Sequence, residues 1–307
     1  MTAGDQLRES SGATAELTEL PSEAPQVGRL VTESGPPRLP GTPIALAGTR
    51  VDAGVLADHR LAAASLVGRA HLAQGTSAQD AYCFALAQDE SALVLAVCDG
   101  VGSSPHTAQI GAELLVRLCC DRAAAITDVE ARADAAAALG AAVADACRTL
   151  SDWRALLAPE LTDRELHCAA LVCRLPRDGG AAVFVRAGDC EAFLLSDGEF
   201  DAVFPECDTG PANVVRGVLP CPDPSSVLEF ARCELGNAEA LVLATDGLAG
   251  DLFDSPTVRD WLAERWAAPC GTAWMLDSLR YRAQGSHDDR TALVTWLPPR
   301  PERMREP

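Results

Sequence analysis

One pattern occurs twice in the sequence and restricts the fold more than any other feature. The apolar run "ALVLAVC" leads into Asp99-Gly100, and the similar run "ALVLAT" leads into Asp246-Gly247. Continuous apolar runs of this length are typical of strands that are buried on both faces. The chain therefore places two strands in its core, and each of them ends with a carboxylate next to a glycine.

The remaining strands and helices come in groups rather than in alternation. "AYCFALAQ" and "SALVLAVCDG" predict a hairpin around residues 89–91, and Asp197-Gly198 between two apolar arms predicts another. Apolar residues have helical spacing in "HTAQIGAELLVRLCCDRAAAI" and "DVEARADAAAALGAAVADACRTL", and again in "SPTVRDWLAERWAA" and "AWMLDSLRYRAQ". Hairpins combined with paired helices predict an α+β fold in which helices cover antiparallel sheets.

Charge and residue usage exclude several classes of function. The chain has a formal net charge of −19 and contains no lysine, so we expect no nucleic-acid partner and no membrane partner. The absence of lysine also excludes a P-loop lysine, a kinase strand lysine and a Schiff-base lysine. No apolar run approaches the ~18–20 residues that span a bilayer. The N-terminus has no basic n-region and no apolar h-region, so we expect no secretory signal. A cytoplasmic protein is expected.

The twelve cysteines are interpreted as core residues rather than as ligands or bridges. None of them is spaced as C-x-x-C, and most lie inside apolar runs. Cysteine in such a run behaves as a small apolar residue. We therefore expect reduced thiols and no disulfides.

Composition divides the chain into three parts. Residues 1–58 are rich in Pro, Gly, Ser, Thr and Glu and lack apolar periodicity, which predicts a disordered tail. Residues 59–298 contain the periodic segments and are predicted to form one domain. Residues 299–307 resemble a second, shorter tail.

Several carboxylates lie at predicted strand boundaries and suggest a metal site. They are Asp80, Asp99, Asp189, Asp246 and the pair Asp288 and Asp289. For any one of them a turn or a solvated surface is the simpler interpretation. If the strands are neighbours, however, the carboxylates converge, and two unit charges ~4 Å apart repel by ~4 kcal/mol at an effective dielectric constant of ~20. Protonation or a hard divalent cation, Mg²⁺ or Mn²⁺, would relieve that repulsion.

The order of these motifs resembles that of a known family. Between Ala64 and Trp296 the chain is similar to the metal-dependent protein serine/threonine phosphatases of type 2C, the PPM family, in their bacterial form. The motifs that carry the resemblance are "VGRAHLAQGTSAQDAY", "VCDGVGSS" with the helix "HTAQIGAELL", "AGDCEAFLL", "LATDGL" and "DDRTALV". Each motif is weak alone, and the five in this order are specific. The resemblance implies a four-layer α-β-β-α sandwich, with two mainly antiparallel sheets flanked by helix pairs.

The resemblance also implies roles for individual residues. Asp99 would bridge two metal ions, and Gly100 would offer its backbone carbonyl to one of them. Asp246 and Asp288 would hold the other ion, and both ions would activate a water molecule for attack on phosphorus. Asp80 would orient that water.

Two further positions follow from the same comparison. Asp189 matches the position of a third, weaker metal ion. Gln79 stands where many relatives have Glu.

The chain departs from the family pattern around the substrate. Gly75 stands where many relatives have an arginine that binds phosphate. Arg69 and His71 lie nearby and are candidates for substrate binding, although a half-buried strand histidine is an equal interpretation for His71. Asn213 and Arg216, in a segment where relatives carry a flap, are further candidates.

Another departure concerns charge. Glu191 replaces the arginine of the family's Gly-Asp-Ser-Arg motif, which reverses the charge at that position.

These observations lead to one function and two alternatives. We expect a metal-dependent phosphatase that hydrolyses phosphoserine and phosphothreonine in a protein substrate of a cognate Ser/Thr kinase, and that acts as a monomer. The alternatives are a regulatory binding module with weak or no catalysis, which the changes at Gly75 and Glu191 favour, and a hydrolase of small phosphate esters. Metal-dependent turnover separates the first alternative from the enzymes.

Overall fold

The computed structural model describes residues 25–29, 48–101, 107–204 and 217–298. Within these ranges the strands form two antiparallel sheets. The prediction of antiparallel sheets rather than a parallel βαβ sheet is confirmed.

The larger sheet has six strands. They are β1 (Thr49–Leu56), β2 (His59–Leu66), β7 (Glu191–Ser196), β8 (Glu199–Ala202), β10 (Ala240–Ala244) and β11 (Arg290–Trp296). Their spatial order is β1-β2-β11-β10-β7-β8, and each neighbouring pair is antiparallel. The predicted tight turn between β7 and β8 is present, since Asp197 and Gly198 both have positive φ angles.

The smaller sheet has five strands. They are β3 (Asp80–Leu86), β4 (Ala92–Gly100), β5 (Cys168–Pro176), β6 (Ala182–Ala187) and β9 (Glu229–Cys233). Their spatial order is β3-β4-β5-β6-β9, again antiparallel throughout. The hairpin predicted around residues 89–91 joins β3 to β4.

Helices cover the outer face of each sheet. The helices are α1 (Arg69–Gln74), α2 (Ala108–Ala124), α3 (Asp128–Leu157), α4 (Asp246–Asp254), α5 (Pro256–Trp266) and α6 (Thr272–Leu279). α2 and α3 pack on the five-stranded sheet, whereas α4, α5 and α6 pack on the six-stranded sheet. The expected four-layer α-β-β-α sandwich is therefore confirmed. None of the helices in the described ranges is long and apolar enough to cross a membrane.

The alternation of side chains along β4 explains why this strand is apolar at every position. Leu93, Leu95 and Val97 pack between the two sheets, while Ala96 and Cys98 pack under the helices of their own sheet. Successive side chains of a strand point to opposite faces. Because both faces of β4 are covered, both sets must be apolar.

The predicted boundary of the N-terminal tail is wrong for one strand. Residues 49–56, assigned to the tail, form β1 and pair with β2 along its full length. Most side chains of this edge strand are half-buried or exposed, so its sequence lacks the apolar alternation that identifies a strand. Of the remaining predicted tails, only residues 25–29, 48 and 57–58 are described, and the segment 299–307 lies outside the described residues.

Candidate metal centre

Strand alternation directs two of the predicted carboxylates into the space between the sheets. On β4, Asp99 follows Leu95 and Val97 in the set of residues that faces the other sheet. On β3, Asp80 belongs to the same set as Tyr82, whose side chain also lies between the sheets. Asp80 and Asp99 are paired across the antiparallel ladder, so their side chains lie side by side at one edge.

The opposite sheet brings a second pair to this edge. β10 ends at Ala244, and Asp246 lies in the first turn of α4, two residues further on. The sequence predicted this residue at a strand end and did not predict the helix. An acidic residue in a first helical turn interacts favourably with the helix dipole. Asp288 precedes β11, the strand next to β10, and its Cβ packs against Gly247.

Asp189 reaches the same edge because the chain crosses there from one sheet to the other. β6 belongs to the five-stranded sheet and β7 to the six-stranded sheet, so the strands on either side of Asp189 do not pair with each other. Gly188 has a φ of +91°, and a Cβ at this position would lie 2.5 Å from the Cβ of Ala169. Only glycine fits this crossing without strain.

Gly100 also lies where a side chain has no room. A Cβ on Gly100 would lie 2.7 Å from the carbonyl oxygen of Ala108 and 2.9 Å from that of Gln79. Its backbone N–H donates to the same Gln79 carbonyl. The glycine after Asp99 therefore lets β4 and the start of α2 approach closely.

Five carboxylates meet at this edge, and we call them the acidic cluster: Asp80, Asp99, Asp189, Asp246 and Asp288. Oxygen atoms of Asp99, Asp189 and Asp246 lie within 4.8 Å of one another, close enough to share a metal ion. Asp288 lies within the same distance of His71 and Asp289, in a neighbouring group. The charge of Asp288 nevertheless raises the pKa values of three members of the cluster, Asp99, Asp189 and Asp246.

The electrostatics of the cluster are unfavourable for five ionised groups. Burial raises the pKa of Asp99 well above its usual value, and the charges of Asp80, Asp246, Asp189 and Asp288 raise it further. Burial is also the main reason why the pKa of Asp80 is raised, followed by the charge of Asp289. Burial, then Asp189 and Asp288, raise the pKa of Asp246 to about 6. Without bound metal, the carboxyl groups of the folded protein therefore keep protons at pH values where the same groups of the unfolded chain have released them.

This proton uptake predicts an unusual pH dependence of stability. Because the folded-state pKa of Asp246 lies above its unfolded value, the metal-free protein loses stability as pH rises from about 4 through about 6. Relative to an Asp246→Asn variant, the wild type should lose about 1–3 kcal/mol of unfolding free energy over this window. Urea denaturation of both proteins in chelator, at a series of pH values, measures the difference. Parallel curves for the two proteins would contradict the prediction.

Asp289 was named among the strand-end carboxylates, but the sequence assigned no role to it. Its side chain is 2% exposed and accepts hydrogen bonds from the backbone N–H groups of Gly68 (2.5 Å) and Gln79 (2.6 Å). It also pairs with Nδ1 of His71 at 2.9 Å. Asp289 thus joins the start of α1, the residue before Asp80 and the start of β11. Strand alternation gave no signal for this role, because both faces of β11 are buried and the pattern does not separate Asp289 from Asp288.

Thr245 is a second residue whose positioning role the sequence did not indicate. Its hydroxyl donates to the Asp80 carboxylate at 2.6 Å and accepts from the backbone N–H of Thr291 at 3.1 Å. The side chain is fully buried. Thr245 therefore links the two sheets directly beneath the cluster and orients Asp80.

The candidates for substrate binding have different surroundings. Both ring nitrogens of His71 contact protein groups, Nδ1 with Asp289 and Nε2 with the Gln79 amide at 3.1 Å. The hydrogen bond to Asp289 is the main reason why the pKa of His71 is raised. His71 lies in α1 and not in a strand, and Arg69 is the first residue of the same helix. Asn213 and Arg216 lie outside the described residues.

The reversed charge at Glu191 has a local explanation. The carboxylate of Glu191 forms an ion pair with Arg186 on β6 at 2.6 Å, and both side chains are more than nine-tenths buried. Arg186 also contacts Glu229 at 2.8 Å and lies over the ring of Phe204. The positive charge that the family pattern places at this position is thus present on the neighbouring sheet. This departure therefore gives no support to the binding-module alternative.

The donor set of the cluster fits a hard divalent cation. All side-chain donors are carboxylate oxygens, which suit Mg²⁺ and Mn²⁺ rather than zinc or copper. The raised pKa values show that positive charge at this edge would stabilise the ionised forms. The eleven cysteines in the described ranges are free thiols, and most of them lie in the core.

Comparison with known proteins agrees with the fold and the site. The sequence matches the profile of a family described as protein phosphatase 2C over residues 67–280, more than half of the chain. No curated protein sequence matches significantly. Among solved structures, the serine/threonine phosphatase Stp1 from Staphylococcus aureus has a TM-score of 0.56 and 15% identity, covering 87% of this chain and 100% of its own.

Two other solved structures are similar at the same level. PppA, a regulatory component of the type VI secretion system in Pseudomonas aeruginosa, has a TM-score of 0.54 and 21% identity, covering 78% of this chain and 97% of its own. RsbX in complex with magnesium has a TM-score of 0.50 and 15% identity, covering 81% of this chain and 100% of its own. At these identities the structural likeness establishes the fold.

The layered fold and the shared edge of carboxylates define the class of the protein, a hydrolase of the phosphoprotein phosphatase type. The chain belongs to the protein phosphatase 2C family, the PPM family, as the sequence predicted. Members of this family are metal-dependent and act on phosphoproteins.

Proposed function

We propose that this chain is an active metal-dependent protein serine/threonine phosphatase. The observation that carries the proposal is the convergence of Asp99, Asp189 and Asp246 within 4.8 Å of one another in a protein phosphatase 2C fold. A protein that only binds a partner gains nothing from carboxylates that repel one another. The retained acidic cluster therefore favours catalysis over a pure binding role.

Each member of the acidic cluster has a role in this proposal. Asp99 would be a ligand of both ions, and the carbonyl of Gly100 would be a further ligand. Asp246 and Asp288 would also hold metal, and Asp189 would serve a third, weaker site. When bound, two Mg²⁺ or Mn²⁺ ions supply a nucleophile from water at neutral pH and neutralise phosphoryl oxygens.

The surrounding residues position these ligands. Asp80 accepts the Thr245 hydroxyl at 2.6 Å, which fixes the orientation of its carboxylate toward the space where water and substrate meet. Asp289 accepts from the backbone N–H groups of Gln79, the residue before Asp80, and of Gly68, the residue before α1. The protein therefore supplies a rigid arrangement of oxygen ligands, and no cysteine nucleophile is needed.

Metal removal tests the proposal most directly. We expect turnover of p-nitrophenyl phosphate with Mn²⁺ or Mg²⁺, complete loss of that turnover in excess chelator, and recovery after the ion is added back. Lewis-acid activation of water has no substitute among the side chains of the cluster. Turnover that chelator leaves unchanged would refute the metal-dependent mechanism, whereas the absence of turnover with every divalent ion would leave the binding module.

A second comparison separates protein substrates from small esters. We expect phosphoserine and phosphothreonine peptides to be hydrolysed with a higher kcat/KM than p-nitrophenyl phosphate, since a protein phosphatase also binds the polypeptide. Preference for the small ester would favour the alternative of a small phosphate-ester hydrolase. The physiological substrate in this proposal is a phosphoprotein of a cognate Ser/Thr kinase, dephosphorylated by a cytoplasmic monomer.

A further inference from the structure

A cavity of about 930 Å³ opens directly beside the acidic cluster. Asp246 and Asp288 line it, together with residues from α4, from the start of α5 and from the loop before β11. Residues 27–29, far away in the sequence, form part of its wall. The volume is at the upper end of the ~300–1,000 Å³ typical of ligand sites and is far larger than a phosphate group requires.

The cavity follows one face of α4. Asp246, Gly250 and Asp254 are four residues apart, so they lie on the same side of the helix, and all three line the cavity. Eight residues of α-helix span ~12 Å, the length of three to four residues of extended chain. The face of α4 that lines the cavity is therefore long enough for a short stretch of polypeptide that leaves the acidic cluster along the helix.

Gly250 keeps this face open. No atom lies within 4 Å of the position that a Cβ on Gly250 would occupy. Glycine in the interior of a helix is less favourable than alanine by ~1 kcal/mol. The backbone here has no need of glycine, so its effect is to leave the cavity unfilled.

Another part of the wall comes from residues 27–29, which belong to the described segment 25–29 that we call the N-terminal segment. Val27 donates its backbone N–H to Arg282 at 3.0 Å, and Arg282 donates to Pro25 at 2.8 Å. The Gln26 amide contacts the carbonyls of Arg29 and Arg282 at 2.6 and 3.0 Å. Val27 is only 8% exposed and packs into the core under α4 and α5. The segment is therefore anchored by both backbone and side chains.

The described lining of the cavity is mainly acidic, since it includes the carboxylates of Asp246, Asp251, Asp254 and Asp288. Of the described residues that line it, Arg29 is the one arginine, and its side chain is exposed. The carboxylate of Asp251, on the α4 side, is matched by Arg290 at 3.1 Å. Guanidinium offers five N–H donors and no acceptor. Arg29 is thus available to bind carbonyl or carboxylate oxygens.

We propose that this cavity receives the polypeptide that flanks the phosphorylated residue, with the N-terminal segment as its outer wall and Arg29 as a peptide-binding residue. The proposal rests on the proposed phosphatase function and adds the site that selects a polypeptide over a small ester. When the phosphoryl group lies at the acidic cluster, the peptide residues on one side of the phosphorylated residue contact α4 and Arg29.

Two variants test the site. Gly250→Leu fills the cavity from the α4 side, and Arg29→Ala removes the donor from the other wall. We expect each to raise the KM for a phosphothreonine peptide with alanine flanks about tenfold more than the KM for p-nitrophenyl phosphate, the effect of losing one charge-assisted contact or an equivalent contact area. Gly54→Leu, also at a glycine with open space around it, and Arg232→Ala, at an exposed arginine on β9, are matched controls.

Binding of the same peptide, labelled with fluorescein and followed by anisotropy, gives a readout without turnover. Peptide affinity that falls in Gly250→Leu and Arg29→Ala but not in the controls supports the site, whether or not the chain is active. An inactive wild type that binds the peptide in this way would refute the phosphatase and keep the site. Equal changes for peptide and small ester, or changes no larger than those of the controls, would overturn it.

Discussion

We expect Asp246→Asn to lower the metal-dependent turnover of p-nitrophenyl phosphate roughly a hundredfold or more, equivalent to ~3 kcal/mol or more of transition-state stabilisation. Asp246 shares a site with Asp99 and Asp189, with oxygen atoms within 4.8 Å of one another. The neutral amide offers a weaker ligand and removes one of the charges that attract the cation. Initial rates over a range of Mn²⁺ concentrations measure both the loss of turnover and the weaker metal dependence.

The same variant should be more stable than the wild type when metal is absent. Burial and the neighbouring carboxylates raise the pKa of Asp246 to about 6, so at pH 8 its charge opposes folding. Loss of activity together with a higher Tm in chelator excludes misfolding as the cause. Asp260→Asn, at an exposed position of α5, is the matched control and should change neither property. An Asp246→Asn protein with wild-type turnover and metal requirement would remove this residue from the site.

Asp289→Ala should destabilise the folded protein by about 2–5 kcal/mol, because two buried N–H donors lose their acceptor. These donors are the backbone groups of Gly68 and Gln79, at 2.5 and 2.6 Å from the carboxylate. Gln79 precedes Asp80, so the loss should also disorder the position of Asp80 and lower kcat. Urea denaturation in the presence of Mg²⁺, with turnover measured below the transition, gives both quantities.

Two variants control for this interpretation. Asp289→Asn keeps one oxygen acceptor and should have a smaller effect, whereas Asp201→Ala, at an exposed position of β8, should have none. If Asp289→Ala unfolds within about 0.5 kcal/mol of the wild type, the range of ordinary surface substitutions, then Asp289 does not organise the site.

Much of the fold was predictable because the information for it is local. The alternating burial of β4 shows why an uninterrupted apolar run predicts a strand covered on both faces. Asp197-Gly198 has the two positive φ angles that its turn requires. β1 was not predictable in this way, because an edge strand with mostly half-buried and exposed side chains needs no apolar alternation.

The acidic cluster was only partly predictable. Asp99 and Asp246 are recognisable because each follows a buried strand, and the same alternation places Asp80 between the sheets. The distinction between Asp288 and Asp289 depends on the direction in which each side chain leaves the start of β11. Two adjacent aspartates have the same composition and charge, and only the partners of Asp289, some 210 and 221 residues away, distinguish them.

The sequence by itself determined the class of fold, the strand ends that carry Asp99 and Asp246, and the chemistry of an all-carboxylate site. These follow from hydrophobic periodicity and residue type, which act over a few neighbouring residues. The tertiary structure alone decided that Arg186 neutralises Glu191, that Asp289 holds the backbone beside Asp80, and that the N-terminal segment forms a wall of the cavity. A buried polar group or a docked segment is specified by its partner in space, and that partner lies where the folded chain places it.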